Sequence, residues 1–309
     1  MSSLELAIIN TLTWFDMFKY PLTGWECWYY LWDENKSLKR VTPAEVLAAL
    51  SKLARTGRVT GNFGYWQLAA SPNYLPGRLE KLRWAIKKRQ RAYRAARLLK
   101  HLPYVRLVAV VNTVALDAPL ANSDIDFFII ARRRHIFTVR FLVTALIHIL
   151  RWRRHDNYIN NRICLSFYLS DDALNMLPLT YADDPYLRFW LLSLDVLYDD
   201  GVYPKFIQHN QWLAPEFPNW RPVVYGNQAP APLSANSGQI AQVGSMKNNI
   251  LEKIFKRLQM SLIKSHKNSR FGDGSKAVLA SDYILKFHET DTRPDLAARF
   301  RERLNRAIT

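Results

Sequence analysis

The sequence predicts an α+β fold in which a mixed sheet is flanked by helices. Three apolar runs of strand length, residues 105–111, 125–131 and 163–169, are rich in β-branched and aromatic residues. Segments with apolar residues at helical spacing lie before, between and after them. A small helical domain with a hairpin is predicted to precede this core, and a helical region is predicted to follow it.

The composition indicates several domains and a polyanionic partner. A chain of 309 residues has room for two or three domains, each with its own core. The 43 Lys and Arg residues exceed the 26 Asp and Glu residues and give a net charge of +17. Such a charge favours nucleic acid, or an anionic membrane surface, as a partner. A generally basic surface that promotes solubility is the alternative.

The cysteines, the N-terminal residues and the length of the apolar runs predict where in the cell the protein is located. Cys27 and Cys164 both lie in apolar segments far apart in the chain, which predicts reduced core residues rather than a disulfide. No signal-peptide pattern opens the sequence. The longest apolar run, residues 141–150, is too short to span a bilayer. We therefore expect a cytoplasmic protein without a transmembrane segment.

Residues 1–75 predict three helices and a hairpin. Thr23 and Thr42 each precede a glutamate by three residues, which is the spacing of a capping box at a helix N-terminus. Residues 57–68 contain a glycine turn typical of a short hairpin. This combination resembles a winged-helix domain. Its third helix carries few cations, so a packing or protein-contact role is as well supported as DNA reading.

Residues 76–103 predict one basic amphipathic helix that links the first domain to the core. Ten Lys and Arg residues accompany a single acidic residue, Glu80, in this segment. That imbalance favours contact with a polyanion over a surface of paired charges. The predicted nucleic-acid contacts on the helix are Lys87, Lys88, Arg89, Arg91, Arg94 and Arg97.

Asp124 and Asp126 are the residues most informative about function. Alternate residues of an extended strand point to the same side, so the two carboxylates lie together. Like charges at that spacing repel unless a cation lies between them or one carboxylate stays protonated. A divalent ion such as Mg²⁺ (or Mn²⁺) takes carboxylate oxygens and leaves positions for substrate phosphates. The pair predicts a metal site, with a solvated strand entrance as the alternative.

The surroundings of the pair carry a family resemblance. A strand ends at the polar turn Asn112-Thr113, a short connection follows, and the next strand opens with Asp124 and Asp126. Residues 104–172 resemble the polymerase-β-like nucleotidyltransferase superfamily. The resemblance implies a nucleotidyltransferase-like core over 104–225, catalytic aspartates that bind Mg²⁺, an NTP as substrate and a hydroxyl acceptor, with RNA favoured over DNA. It also implies that phosphates are contacted near Asn112, Thr113 and Ser123.

Two departures from the family pattern support a different function. The family has Gly-Ser at the turn, and the side chain of Asn112 is expected to obstruct close approach of a phosphate. A third acidic residue is expected on a later strand, but residues 163–169 contain none, and Asp171 and Asp172 lie beyond that run. The alternative is a non-catalytic nucleic-acid-binding or regulatory protein with a degenerate transferase fold.

The rest of the chain extends the basic surface. Arg132, Arg133 and Arg134 follow the Asp-x-Asp strand and are expected to clamp a triphosphate or a nucleic-acid backbone, or simply to form a charged turn. Residues 183–198 predict a further helix. Residues 226–246 predict a flexible linker, and residues 247–309 predict a basic helical C-terminal region with a short strand or turn from Ser281. A further alternative is a peripheral membrane protein that is held at the bilayer surface by its basic amphipathic helices.

Overall fold

The computed structural model describes residues 1–155, 158–181, 184–221, 250–265, 276–287 and 291–308. It confirms an α+β protein with a mixed six-stranded sheet flanked by helices. None of the helices within these ranges combines the length and apolar character needed to cross a membrane. The predicted linker, residues 226–246, lies outside the described residues.

The N-terminal part forms a small antiparallel sheet with three helices. The capping boxes predicted at Thr23 and Thr42 are present, and each threonine hydroxyl accepts a hydrogen bond from the backbone N–H three residues later. The strands pair in the order β1-β3-β2. The elements are α1 (Ser3–Asp16), β1 (Leu22–Thr23), α2 (Gly24–Tyr29), α3 (Pro43–Arg55), β2 (Val59–Asn62) and β3 (Tyr65–Leu68).

The larger sheet contains strands from both the middle and the end of the chain. Its helices are α4 (Leu75–Leu99), α5 (Asn112–Ala115), α6 (Ile136–Ile149), α7 (Pro185–Leu192), α8 (Tyr203–His209), α9 (Ile250–Ser265) and α10 (Arg293–Ile308). Its strands are β4 (Val105–Val110), β5 (Ile125–Ala131), β6 (Ile163–Ser170), β7 (Asp195–Asp199), β8 (Val278–Ala280) and β9 (Ile284–Phe287). They pair in the order β7-β4-β5-β6-β9-β8, and β5 runs parallel to β6 while the other neighbours are antiparallel.

Two sequence expectations need correction here. The helix predicted over residues 183–198 ends at Leu192, and β7 follows and pairs with β4. The C-terminal region is helical in α9 and α10, and the short strand or turn expected from Ser281 is instead a pair of strands, β8 and β9, that extends the sheet beyond β6. These short strands carry a weak period-two pattern, so their pairing with the sheet decides their structure.

The two faces of the central strands are covered by different helices. Along β5, Phe128 and Ile130 face a core shared with α1, α7 and α8, whereas Phe127 and Ile129 face a core shared with α4 and α6. Asp124 and Asp126 alternate in phase with Phe128, so they belong to the face covered by α1 and α7. α4 lies on the other face, where Ala92 and its neighbours are buried.

Aromatic residues join the N-terminal part to the sheet. The ring of Phe189 in α7 stacks on Trp14 of α1 with centroids 5.2 Å apart, and it makes edge contacts with Phe15, Trp32 and Phe217. One buried cluster therefore extends across the domain boundary expected at residue 75. The division into domains stays a prediction, but the packing is continuous across it.

Replacing Phe189 with alanine should destabilise both parts together. The substitution empties the centre of the aromatic cluster, and burial losses of this size cost about 3–5 kcal/mol. Urea unfolding followed by near-UV and far-UV circular dichroism should show one transition at lower denaturant. Phe63, 89% exposed in the β2–β3 turn, provides the control, and Phe63→Ala should change stability by less than about 0.5 kcal/mol. Two separate transitions in Phe189→Ala, with the sheet unaffected, would contradict a shared core.

Candidate metal and nucleotide site

Three side chains with metal-ligating atoms meet where β5 and β6 begin. Asp126 pairs with Cys164 across these parallel strands, and Asp124 precedes β5 on the same face. One ligand atom from each of Asp124, Asp126 and Cys164 lies within 4.8 Å of the other two, and all three residues are partly buried. The described residues therefore contain a potential metal-binding group at the position that the sequence predicted for the two carboxylates.

Cys164 has a different role from the one expected. The sequence predicted a core cysteine, which holds for the buried Cys27, but Cys164 is only partly buried and lies beside Asp126. Burial, and then the charge of Asp126, raise the pKa of the Cys164 thiol to about 12. The metal-free thiol is therefore neutral near pH 7, and sulfur is a softer ligand than the oxygens that a hard cation prefers.

The electrostatics of the two carboxylates are unequal. Burial, followed by the charge of Asp124, raises the pKa of Asp126 to about 6, and a hydrogen bond from Asn112 Nδ2 to Asp126 Oδ2 at 2.8 Å acts in the opposite direction. Asp124 Oδ2 instead forms an ion pair with Arg154 at 2.6 Å. Within the described residues, the guanidinium of Arg154, the amide of Asn112 and a hydrogen bond from the thiol of Cys164 thus help to compensate the charge of the pair.

Asn112 shapes the turn after β4. Its φ of 60° lies in the left-handed region, which asparagine enters more readily than most residues other than glycine. The turn thus keeps the kind of backbone conformation that a glycine would provide. The Asn112 side chain is directed at Asp126, and its Oδ1 accepts a hydrogen bond from the Tyr186 hydroxyl at 2.6 Å. This amide connects the carboxylate to α7 and the aromatic core.

The other predicted phosphate contacts differ in availability. Thr113 is exposed next to Asn112. The Ser123 hydroxyl donates to the carbonyl of Leu120 at 3.0 Å and stabilises the loop before Asp124. Thr113 is therefore the better placed of the two hydroxyls for contact with a ligand.

Lys88 holds the same loop from the side of α4. Its fully buried ammonium donates to the carbonyls of Ala121 and Ser123 at 3.1 and 2.7 Å and to Asn161 Oδ1 at 3.0 Å. Burial lowers the pKa of Lys88, whereas the nearby charge of Asp124 raises it. The sequence predicted a nucleic-acid contact here, but the structure uses this cation to position the backbone that leads into Asp124.

Arg89 is also engaged inside the fold. Its guanidinium forms ion pairs with Asp195 at 2.7 Å and with Asp117 at 2.6 Å. Arg91 is partly buried, with its guanidinium 5.3 Å from the centre of the Trp152 ring. Lys88, Arg89 and Arg91 thus differ from the other six predicted nucleic-acid contacts, which are exposed: Lys87, Arg94, Arg97, Arg132, Arg133 and Arg134.

The exposed cations lie away from the carboxylates. Those of α4 belong to the helix on the opposite face of the sheet. Arg132, Arg133 and Arg134 follow the C-terminal end of β5, whereas Asp126 is near its start, and six residues of strand separate the two ends by about 20 Å. The arginine triplet is therefore too far away to clamp a triphosphate bound at the aspartates.

No third carboxylate joins the metal-binding group within the described residues. Asp171 and Asp172 follow the far end of β6, where Asp171 Oδ1 accepts a hydrogen bond from the backbone N–H of Arg133 at 2.7 Å. Cys164 lies beside Asp126 instead. Sequence reasoning missed Cys164, Arg154, Lys88 and Tyr186 as parts of the site, because their proximity depends on strand pairing and helix packing.

Comparison of the chain with models of protein families, with curated proteins and with solved structures found no match. Function must therefore be inferred from the geometry around Asp124 and Asp126 and from the resemblance carried by residues 104–172.

The raised pKa of Asp126 predicts a pH-dependent stability change. Between about pH 4 and pH 6 the unfolded chain releases the Asp126 proton before the folded chain does, so the folded state loses stability as the pH rises. Asp126→Asn removes this titration and keeps an oxygen that accepts from Asn112. The melting temperature of Asp126→Asn relative to wild type should rise by at least about 2 °C from pH 4 to pH 7.

Asp282→Asn is the matched control for that measurement, because Asp282 is exposed and pairs with Lys256 on the surface. Its melting temperature relative to wild type should stay nearly constant from pH 4 to pH 7. A constant difference for Asp126→Asn as well would show that Asp126 does not titrate at a raised pKa.

Proposed function

We propose that the protein is a metal-dependent nucleotidyltransferase that moves a nucleotidyl group from an NTP to a hydroxyl acceptor. The observation that carries the proposal is the meeting of Asp124 and Asp126 on one face, beside the left-handed turn at Asn112. The arrangement of β4, β5 and β6 around them is consistent with the resemblance to polymerase-β-like nucleotidyltransferases. The order of elements from α1 to β3 likewise supports a winged-helix domain.

The two aspartates suit Mg²⁺ or Mn²⁺. They supply the carboxylate oxygens that such ions prefer, and a cation would offset both the burial and the charge of Asp124, which together raise the pKa of Asp126. The ion would neutralise the phosphates of the NTP and leave coordination positions for them. The Cys164 thiol is a softer ligand than these ions prefer and donates a hydrogen bond to Asp126, so it is assigned to positioning that carboxylate rather than to the metal.

Residues around the aspartates orient them. Asn112 holds Asp126 through its amide and is itself held by Tyr186. Lys88 fixes the loop that precedes Asp124. The Arg154 side chain is 45% exposed and pairs with Asp124. Its guanidinium can therefore leave Asp124 and pair with a phosphate of the NTP without crossing the protein interior.

One set of interactions favours a second function. Arg154 and Asn112 already compensate Asp124 and Asp126, and the group contains a thiol instead of a third carboxylate. These features are consistent with a protein that binds nucleotide or nucleic acid without transferring it. A transfer assay distinguishes the two functions.

Asp124→Asn combined with Asp126→Asn should abolish nucleotidyl transfer. The assay incubates the full chain with each labelled NTP, Mg²⁺ or Mn²⁺, and total RNA or a small-molecule extract as acceptor. Asparagine keeps the shape of each side chain but removes the negative charge that holds the cation. Label transfer by wild type and by the surface control Asp282→Asn, with none by the double variant, supports the enzyme. Transfer that survives the double substitution would overturn the assignment of the aspartates, and metal-dependent nucleotide binding without transfer would favour the second function.

The exposed cations of α4 should bind RNA through its phosphates. Replacing Lys87, Arg94 and Arg97 with glutamine removes three charges whose side chains are exposed. The slope of log affinity against log salt should become shallower by about 0.7 for each phosphate of single-stranded RNA that the removed cations had neutralised. Fluorescence anisotropy at several salt concentrations measures the slope.

A control removes the same charge from another surface. Lys39, Arg40 and Lys205 are exposed and lie outside α4. Replacing all three with glutamine should leave the salt slope nearly unchanged. Equal slopes for the two triple variants would show that α4 is not a specific RNA-binding surface.

A further inference from the structure

A cavity of about 460 Å³ lies beside the turn at Asn112. It is bounded by the C-terminal end of α1, by α5 with the residues that follow it, and by α7. Its volume falls within the range of roughly 300–1,000 Å³ typical of small-molecule sites. Its apolar walls include Trp14, Phe18, Leu116, Phe189 and Trp190.

The walls of the cavity suit a flat apolar group. Trp14 and Phe189 stack on each other with centroids 5.2 Å apart, so they form a packed base beneath the cavity, and Phe18 meets Trp14 edge to face. Aromatic walls of this kind favour ring ligands, because rings stack or make edge contacts with them. The nearly buried side chains of Phe15 and Trp190 also border the cavity.

Polar groups occur at two places on this apolar surface. Asn112 and Thr113 provide an amide and a hydroxyl on the side of the aspartates. Lys19, which is exposed, and Lys81, whose ammonium donates to the carbonyl of Phe18 at 2.9 Å, provide positive charge. A few polar groups on an otherwise apolar lining are typical of a site that orients its ligand.

The cavity adjoins the aspartates through residues they share. Asn112 lines the cavity and donates to Asp126 at 2.8 Å, and Tyr186 lines it and donates to Asn112. The exposed cations of α4 are instead on the opposite face of the sheet. Apart from Lys81, which lines the cavity, a ligand adjacent to the carboxylates on this face would therefore meet aromatic side chains rather than the basic surface of α4.

We propose that this cavity binds an aromatic ring system of a small molecule, with the polar end of that molecule directed towards Asn112 and Thr113. The inference rests on the proposed function for its role: the ring belongs either to the base of the NTP or to a small acceptor that carries the hydroxyl. Ring binding itself does not require that transfer occurs.

Two variants test the cavity in the full chain. Ala118 lines it and is almost fully buried, so Ala118→Phe should fill part of the space. Leu120 lines it and is 59% exposed, so Leu120→Asp should place a charge on its wall without disturbing the core. Leu79→Asp is the matched control, because Leu79 is 49% exposed on α4 and outside the cavity.

The probes are the four nucleosides, measured by equilibrium dialysis, and anilinonaphthalene sulfonate, measured by fluorescence titration. Wild type and Leu79→Asp should bind at least one probe saturably, and Ala118→Phe and Leu120→Asp should weaken that binding at least about tenfold, a free-energy loss of about 1.4 kcal/mol. Urea unfolding identifies any variant that fails to fold. If Ala118→Phe fails to fold, Leu120→Asp alone still tests the cavity.

The pattern of binding identifies the source of the ring. Nucleoside binding weakened by both cavity variants assigns the cavity to the base of the NTP, whereas binding of the sulfonate alone, weakened in the same way, supports ring binding by a group other than a nucleoside base. Binding of neither probe, or binding that both variants leave unchanged, overturns the proposal. The Asp124→Asn, Asp126→Asn double variant without metal should retain ring binding, so failed transfer and failed ring binding are separate results.

Discussion

Burial of both faces of the central strands organises the whole fold. β4, β5 and β6 are apolar on both sides, so each side needs a covering layer. α4 and α6 cover one side. The aromatic cluster around Phe189, which includes residues of α1, covers the other and joins the N-terminal part to the sheet. With both faces closed, carboxylates are accommodated at the end of the strands, where Asp124 and Asp126 lie.

The site depends on balancing charge in this partly buried position. Two close carboxylates repel each other. The ion pair between Arg154 and Asp124 and the hydrogen bond from the Asn112 amide to Asp126 offset this repulsion. Tyr186 links these polar groups to the aromatic core, because its hydroxyl donates a hydrogen bond to Asn112. The same amide lines the adjacent cavity, so a ligand there and a cation at the aspartates would act on one hydrogen-bonded unit.

The net positive charge describes the chain as a whole but does not locate a binding surface. Lys88 and Arg89 are adjacent in a strongly basic segment, yet both charged groups bond to loops and strands within the fold. Lys87, next to them, is exposed. Because a helix turns by about 100° per residue, neighbouring cations face different surroundings, and only packing decides which of them meets solvent.

Local sequence patterns were enough to specify the α+β class, the capped helices at Thr23 and Thr42, the three central strands and the meeting of two carboxylates. Each of these depends on local rules: side-chain alternation, capping hydrogen bonds and apolar periodicity. Long-range packing was needed to bring β7, β8 and β9 into the sheet, because short strands are stabilised by their neighbours more than by their own residues. It also brought Cys164, Arg154, Lys88 and Tyr186 to the aspartates, since contacts between residues distant in the chain depend on strand register and helix packing rather than on sequence spacing.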